Sequence, residues 1–242
     1  MRKLFLAIFL LSTFAAHASE WIADSTTQCK VWNPSPKPDE VVKWTGACKD
    51  GKATGSGTLE WFKEGKANGT FQGTYVDGLR QGKGVFALTN GNRYEGDYLE
   101  DKRTGKGSFT WLDGTRYEGD FIDGKRTGKG ILTYSNGDKY EGDFVDGKQH
   151  GKGATYCSNG NHFSGDFING KLQGKGIYVW PNGDRYEGDF VDGNLSGKGI
   201  HISSRGRYEG DWLNNKQHGK GSFTWLNGYA HANEWVDGKP LH

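Results

Sequence analysis

The stretch that decides the fold is Tyr94–Arg116, YEGDYLEDKRTGKGSFTWLDGTR, after which Tyr-Glu-Gly-Asp begins again at Tyr117. An aromatic-x-Gly opening recurs at Phe71, Tyr94, Tyr117, Tyr140, Phe163 and Tyr186 in steps of 23 residues, and at Tyr208 after a step of 22. A fixed period of this length marks a repeat architecture, in which each unit leaves a face that only its neighbours can cover. Side chains alternate along a strand, so Tyr94, Gly96 and Tyr98 share one face, and Glu95 and Asp97 take the other. Gly105, Gly107, Phe109 and Trp111 fall on one face of the second strand.

Two kinds of turn are expected. Asp77-Gly78, Asp123-Gly124 and Asp146-Gly147 predict two-residue hairpin loops, which in this unit fall on Glu100-Asp101. That register pairs Leu99 with Lys102, Gly96 with Gly105, Tyr94 with Gly107 and Glu95 with Lys106. It predicts a ladder of charge pairs, Glu95–Lys106, Glu118–Lys129, Glu141–Lys152, Glu187–Lys198 and Glu209–Lys220. Between units a three-residue loop, Leu112-Asp113-Gly114, opposes Phe109 to Tyr117 and Gly107 to Gly119. Such a loop wants a left-handed residue last, and Gly stands there at Gly91, Gly114, Gly137, Gly160, Gly183, Gly206 and Gly228. The expected fold is all-β, a single-layer antiparallel meander of stacked hairpins. In it a Tyr ring lies over a cross-strand Gly and covers backbone otherwise exposed.

Outward from the array the pattern wears. Residues 44–70 read as a degenerate first repeat, with Trp44-Thr45-Gly46 standing for Tyr-x-Gly. Residues 71–230 are seven cleaner repeats, and residues 231–242 a half-repeat cap. Residues 19–43 lack periodicity and are expected to form an irregular amino-terminal cap. Residues 1–18 read as a signal peptide: Arg2 and Lys3 precede a mostly apolar run that ends in Ala16-His17-Ala18. The expected location is therefore periplasmic or secreted. Cys29 and Cys48 flank a Pro-rich stretch and are expected to form a disulfide in an oxidising compartment, leaving Cys157 unpaired. Residues 1–18 hold two of the 31 basic residues and none of the 29 acidic ones, so the remainder is neutral, 29 against 29. The pI of 8.3 then gives no argument for nucleic acid.

The unit resembles the MORN (membrane occupation and recognition nexus) repeat, as in Tyr140–Gly153, YEGDFVDGKQHGKG. The resemblance is strong over 71–230 and weak over 44–70. It implies an elongated, twisted array of hairpins that acts as a non-catalytic interaction platform for proteins or phospholipids. No catalytic constellation stands beside it. His150 and His218 share a turn-exit position that other repeats fill with Thr, Gln or Ser, and no His or Cys pair has metal-ligand spacing. No metal and no cofactor is expected, and Gly-Lys-Gly sits in a strand rather than before a helix.

The aromatic face carries the candidate binding residues. One column reads Phe86, Phe109, Leu132, Thr155, Tyr178, His201, Phe223, and the next Leu88, Trp111, Tyr134, Cys157, Trp180, Ser203, Trp225. Trp111, Tyr134, Cys157, Trp180, His201, Ser203 and Trp225 are taken as a candidate surface. An apolar face without a second layer marks binding, unless curvature lets the rings cover one another. A second apolar column, Val76, Leu99, Ile122, Val145, Ile168, Val191, Leu213 and Val236, lies opposite. Either the coiled array or a second copy would cover it. The expected function is binding or scaffolding in the cell envelope, with a protein partner or self-association preferred. The alternative is an envelope glycan or phospholipid stacked on the aromatic rows.

Overall fold

A computed structural model describes residues 20–241, and the expected signal peptide lies outside the described residues. Every regular element among them is a strand, and 21 strands join in one sheet. From Lys52–Lys63 onward each strand pairs antiparallel with the next in sequence, which is the hairpin meander expected.

Both turn types form. Glu100 and Asp101 have φ of 47° and 71°, and Asp77-Gly78 has 50° and 81°, the left-handed pair of a two-residue hairpin loop. Between units the Trp111 N–H donates to Thr115 O (2.8 Å), the Gly114 N–H donates to Trp111 O (3.0 Å), and Gly114 takes φ +86°. The 22-residue step is an exception to the three-residue loop. There Ser203 pairs with Gly206, so only Ser204-Arg205 turn, and Gly206 lies within the strand Gly206–Leu213 rather than closing a loop.

The register inside the hairpin differs from expectation. Leu99 does pair with Lys102, but Gly96 pairs with Gly107, Tyr94 with Phe109 and Glu95 with Ser108. A bulge follows Gly96, so that Asp97 opposes Thr104 and two residues, Gly105 and Lys106, are extra on the second strand. Gly105 has φ +55°, a conformation that a residue with a Cβ adopts at a cost. On their other side Gly105 and Lys106 remain in register with Phe121 and Asp120. The expected Glu–Lys ladder is therefore corrected. Lys106 reaches Asp120 at 2.7 Å, Lys129 reaches Asp143 at 2.6 Å, and Lys152 reaches Asp166 at 2.7 Å, each binding forward to the next unit. The glutamates instead take the cation two residues back on their own strand, as in Arg116–Glu118 at 2.9 Å and Arg207–Glu209 at 2.6 Å.

The single layer builds its core on one face by edge-to-face contact of rings. Phe71, Tyr98, Tyr94, Phe121, Tyr117, Phe144, Tyr140 and Phe167 follow one another with ring centroids 5.0–5.2 Å apart. This geometry suits the ring quadrupole. Tyr94, Tyr117, Tyr140, Tyr186 and Tyr208 are fully buried. Each hydroxyl donates to the carbonyl of the Asp three residues on, at 2.9–3.1 Å. The Tyr94 ring covers Gly107, where a Cβ would come within 2.7 Å of it. The expected cover of Tyr over Gly is thus present, although the two residues are not paired. The opposite apolar column, Val76 to Val236, stays about half exposed throughout, so the array does not cover it.

The leading residues are less irregular than expected. Glu20–Ala23 and Lys30–Asn33 pair as a short hairpin, and Glu40–Trp44 adds to the edge of Lys52–Lys63. Asp24 ties them together, accepting from the N–H groups of Trp44 (2.7 Å), Thr26 (2.7 Å) and Thr27 (3.0 Å). Cys29 and Cys48 form the expected disulfide, Cα atoms 5.8 Å apart. Trp44 is buried against Gly46 and Gly57.

Candidate functional site

Two surfaces carry chemistry, one on each face of the sheet. The charged face holds a trough whose floor is glycine backbone. A cavity of 1220 Å³ is floored by Gly176, Gly188, Gly199 and Gly210 and edged by Lys175, Glu187, Lys198 and Glu209. A second, of 1040 Å³, continues the same columns in the early repeats over Gly73, Gly84, Gly96 and Gly107. The floor is backbone because side chains at these positions point to the other face, where Phe71, Tyr94 and Tyr186 lie against the glycines, while the flanking residues point into the trough. The rows of ion pairs run along its sides: forward Lys–Asp pairs on one, Arg–Glu or Lys–Glu pairs on the other. These pairs are largely solvated, so they contribute little to stability. The trough is therefore free to re-pair its charges with a ligand.

The aromatic face is organised by residues the sequence reading passed over. At the tenth position of the unit stand Arg80, Arg103, Arg126, Gln149, Leu172, Leu195 and Gln217. The three arginines insert among the rings. The Arg103 guanidinium lies 5.1–5.7 Å from the ring centroids of Tyr94, Phe109 and Phe121, and Arg126 lies 5.4–5.5 Å from Trp111, Tyr117 and Phe144. Burial pushes both guanidinium pKa values down. Arg80, over Phe71, Phe86 and Tyr98, also forms a two-pronged ion pair with Asp101, both contacts 2.8 Å. Burial alone would lower its pKa, but the Asp101 carboxylate more than reverses this and the net shift is upward. The signal available in the sequence was the basic column itself, hidden because it stops after three units.

The seven candidate binding residues lie along this face but do not converge on one point. Trp111 is half-buried beneath Arg126. Tyr134 is more exposed, its hydroxyl accepting from Gln149 Nε2 at 3.3 Å, and burial leads the rise in its pKa. Cys157 is a half-buried free thiol, its pKa raised mainly by burial. Ser203 Oγ donates to Gly206 O (3.3 Å) and so serves the shortened turn. Trp225 packs on Phe223 and Tyr229 near the carboxyl end. Only Trp180 and His201 lie together, ring centroids 5.2 Å apart, and they border a cavity of 790 Å³ with Tyr178, Asp184, Leu195 and Trp212. Among the described residues no group of three or more His, Cys, Asp or Glu side chains is placed to hold a metal ion.

Comparison with known proteins agrees with the repeat. The model of the MORN repeat matches residues 71–93, 94–116, 117–139, 140–162, 163–185, 186–206 and 208–228. No curated protein matches the chain in sequence. Among solved structures, the SAS-4 (dCPAP) TCP domain of Drosophila melanogaster, in complex with a proline-rich motif of Ana2, is 13% identical. The match covers 84% of this chain and 96% of that one, with a TM-score of 0.38. A streptogramin B lyase (9% identity, 81% and 73% coverage, TM-score 0.17) is also similar. So is virginiamycin B lyase from Staphylococcus aureus (10%, 86% and 85%, 0.17). MORN repeats are non-catalytic modules that engage proteins or membranes, and the matched units span more than half of the sequence. This chain belongs to the MORN repeat family.

Proposed function

We propose that the chain is a non-catalytic binding and scaffolding protein of the cell envelope, whose trough receives an extended segment of a partner protein. The observation that supports this reading is the side-chain-free floor, which repeats in register from Gly73 to Gly221 between two rows of exposed charge. An extended chain can approach such a floor closely, and its own charges can exchange with the solvated Lys–Asp and Arg–Glu pairs. The Cys29–Cys48 bridge favours an oxidising compartment, in keeping with an envelope location.

The test is photo-crosslinking from a residue of the trough, for instance a crosslinking amino acid at Ile200, in the native envelope. A discrete adduct is expected, and it should disappear when Lys175→Glu and Lys198→Glu reverse one row. An adduct that survives the reversal, or that forms equally from Ile122 outside the trough, would refute the assignment.

A further inference from the structure

The cavity beside Trp180 is the place where an arginine is missing. In the third unit Arg126 lies over Trp111, Tyr117 and Phe144 and donates to Gly147 O. Three units later the same positions are Leu195, Trp180, Tyr186, Trp212 and Asn215, with the cation gone and the rings kept. Leu195 is buried and shorter than arginine, and the 790 Å³ above it is open between Trp180 and Trp212. The fifth unit has lost its arginine too, but Leu172 packs onto Gly165 and Gly176 there.

A second, independent feature supplies the anion. In two units the side chain at the twenty-second position accepts the N–H that opens the next turn: Asn92 from Leu112 and Asp138 from Ser158, both at 2.7 Å. Asp184 holds that position here, but the turn it would serve is the shortened one at Ser203–Gly206, and the bond is not made. Its carboxylate is turned instead towards His201, 3.7 Å from Nε2, with both side chains 22% exposed. Burial holds the His201 pKa down, and Arg205 adds to this against Asp184, so the imidazole is neutral near pH 7, and among the described residues no lysine or arginine forms an ion pair with Asp184.

We propose that this cavity is a binding site for a guanidinium group presented by an arginine side chain of a partner polypeptide, which replaces the internal arginine of the earlier units. Trp180 and Trp212 supply the ring faces, indole being the strongest aromatic partner for a cation. Asp184 supplies a charge-assisted acceptor for the planar N–H fork. The volume exceeds that of a guanidinium and leaves room for the stem and adjoining main chain. The site lies on the face opposite the trough, so it stands or falls apart from the trough assignment.

The probe is Nα-acetylarginine methylamide, titrated into the intact chain while the indole N–H resonances of Trp180 and Trp212 are followed. Saturable shifts confined to these two indoles are expected, with no response to the citrulline analogue, which is uncharged and of the same shape. Asp184→Asn should weaken binding about 10-fold, the usual range for losing a charged partner. Leu195→Arg should abolish binding by restoring an internal occupant, in a setting the fold already accepts at Arg126. Equal binding of the citrulline analogue, tighter binding of choline, unaltered binding by Leu195→Arg, or no saturable shift at the solubility limit would each overturn the proposal.

Discussion

Replacing Gly107 by Ala tests the packing on which the array depends. Its Cβ would stand 2.7 Å from Cε2 and Cζ of Tyr94, where carbon atoms ordinarily rest about 3.5–4.0 Å apart. The ring must therefore retreat by about 1 Å. It has little freedom to do so. Tyr98 and Phe121 hold it edge-on at 5.2 Å each, its hydroxyl is bonded to Asp97 O at 3.1 Å, and it is fully buried. Overpacking of this kind costs about 1–3 kcal/mol. Gly114→Ala is the control, because its φ of +86° strains any Cβ but nothing lies within 4 Å of it; the expected cost is about 1–2 kcal/mol from the backbone alone. The two mechanisms separate in a double-mutant cycle with Tyr94→Leu, measured by urea unfolding and amide exchange. Gly107→Ala should couple to Tyr94→Leu by about 1 kcal/mol or more, while Gly114→Ala should add independently. Protection should fall first in the units around Tyr94, since repeats are stabilised by their nearest neighbours. A Gly107→Ala variant within about 0.5 kcal/mol of wild type, or full additivity with Tyr94→Leu, would refute the reasoning.

Asp101→Asn strands a buried guanidinium and should cost about 3–5 kcal/mol by urea midpoint, whereas adding Arg80→Leu to Asp101→Asn, which keeps a residue suited to the left-handed φ of +71°, should recover much of the loss. Burial pushes the Asp24 carboxyl up, but the N–H donors of Trp44, Thr27 and Thr26 outweigh it and the folded pKa lies below its ordinary value. The stability it contributes is therefore full above about pH 4, the unfolded value, and is lost as pH falls through the lower folded pKa. Amide exchange in Glu20–Trp44 should quicken there, and Asp24→Asn should abolish that pH dependence. Burial raises Tyr98, Tyr117, Tyr140 and Tyr208 to about 12. Their contribution is present below the unfolded value of about 10 and lost as pH rises through about 12, so tyrosinate absorbance should appear late and together with unfolding. Reducing the Cys29–Cys48 bridge, or replacing both by Ser, should cost the amino-terminal unit about 3 kcal/mol for a loop of this length. Exchange in the units beyond Tyr117 should not change, and a uniform loss along the array would contradict this.

The sequence by itself determined what is local and periodic. The unit length, two turn types, alternating faces, the Tyr ring over Gly107 and the Cys29–Cys48 pair were all legible in it, because each rests on neighbours a few residues apart or on a residue type with one conformational use. The tertiary structure decided which partner each charge takes and where the array is open. A left-handed φ at Gly105 adds two residues to one strand, and this alone turns Lys106 from Glu95 to Asp120 in the next unit. No pattern in the unit distinguishes a glycine that lies under a tyrosine from one that makes a bulge. The arginine cages likewise combine residues from three successive units, as Arg126 does with Trp111 and Phe144, so they form only once the strands are in register. The candidate binding column was visible as Trp180, His201 and its neighbours. The open cage beside Trp180 was not, because it depends on Leu195 being short and on Asp184 facing a turn shortened to Ser204-Arg205.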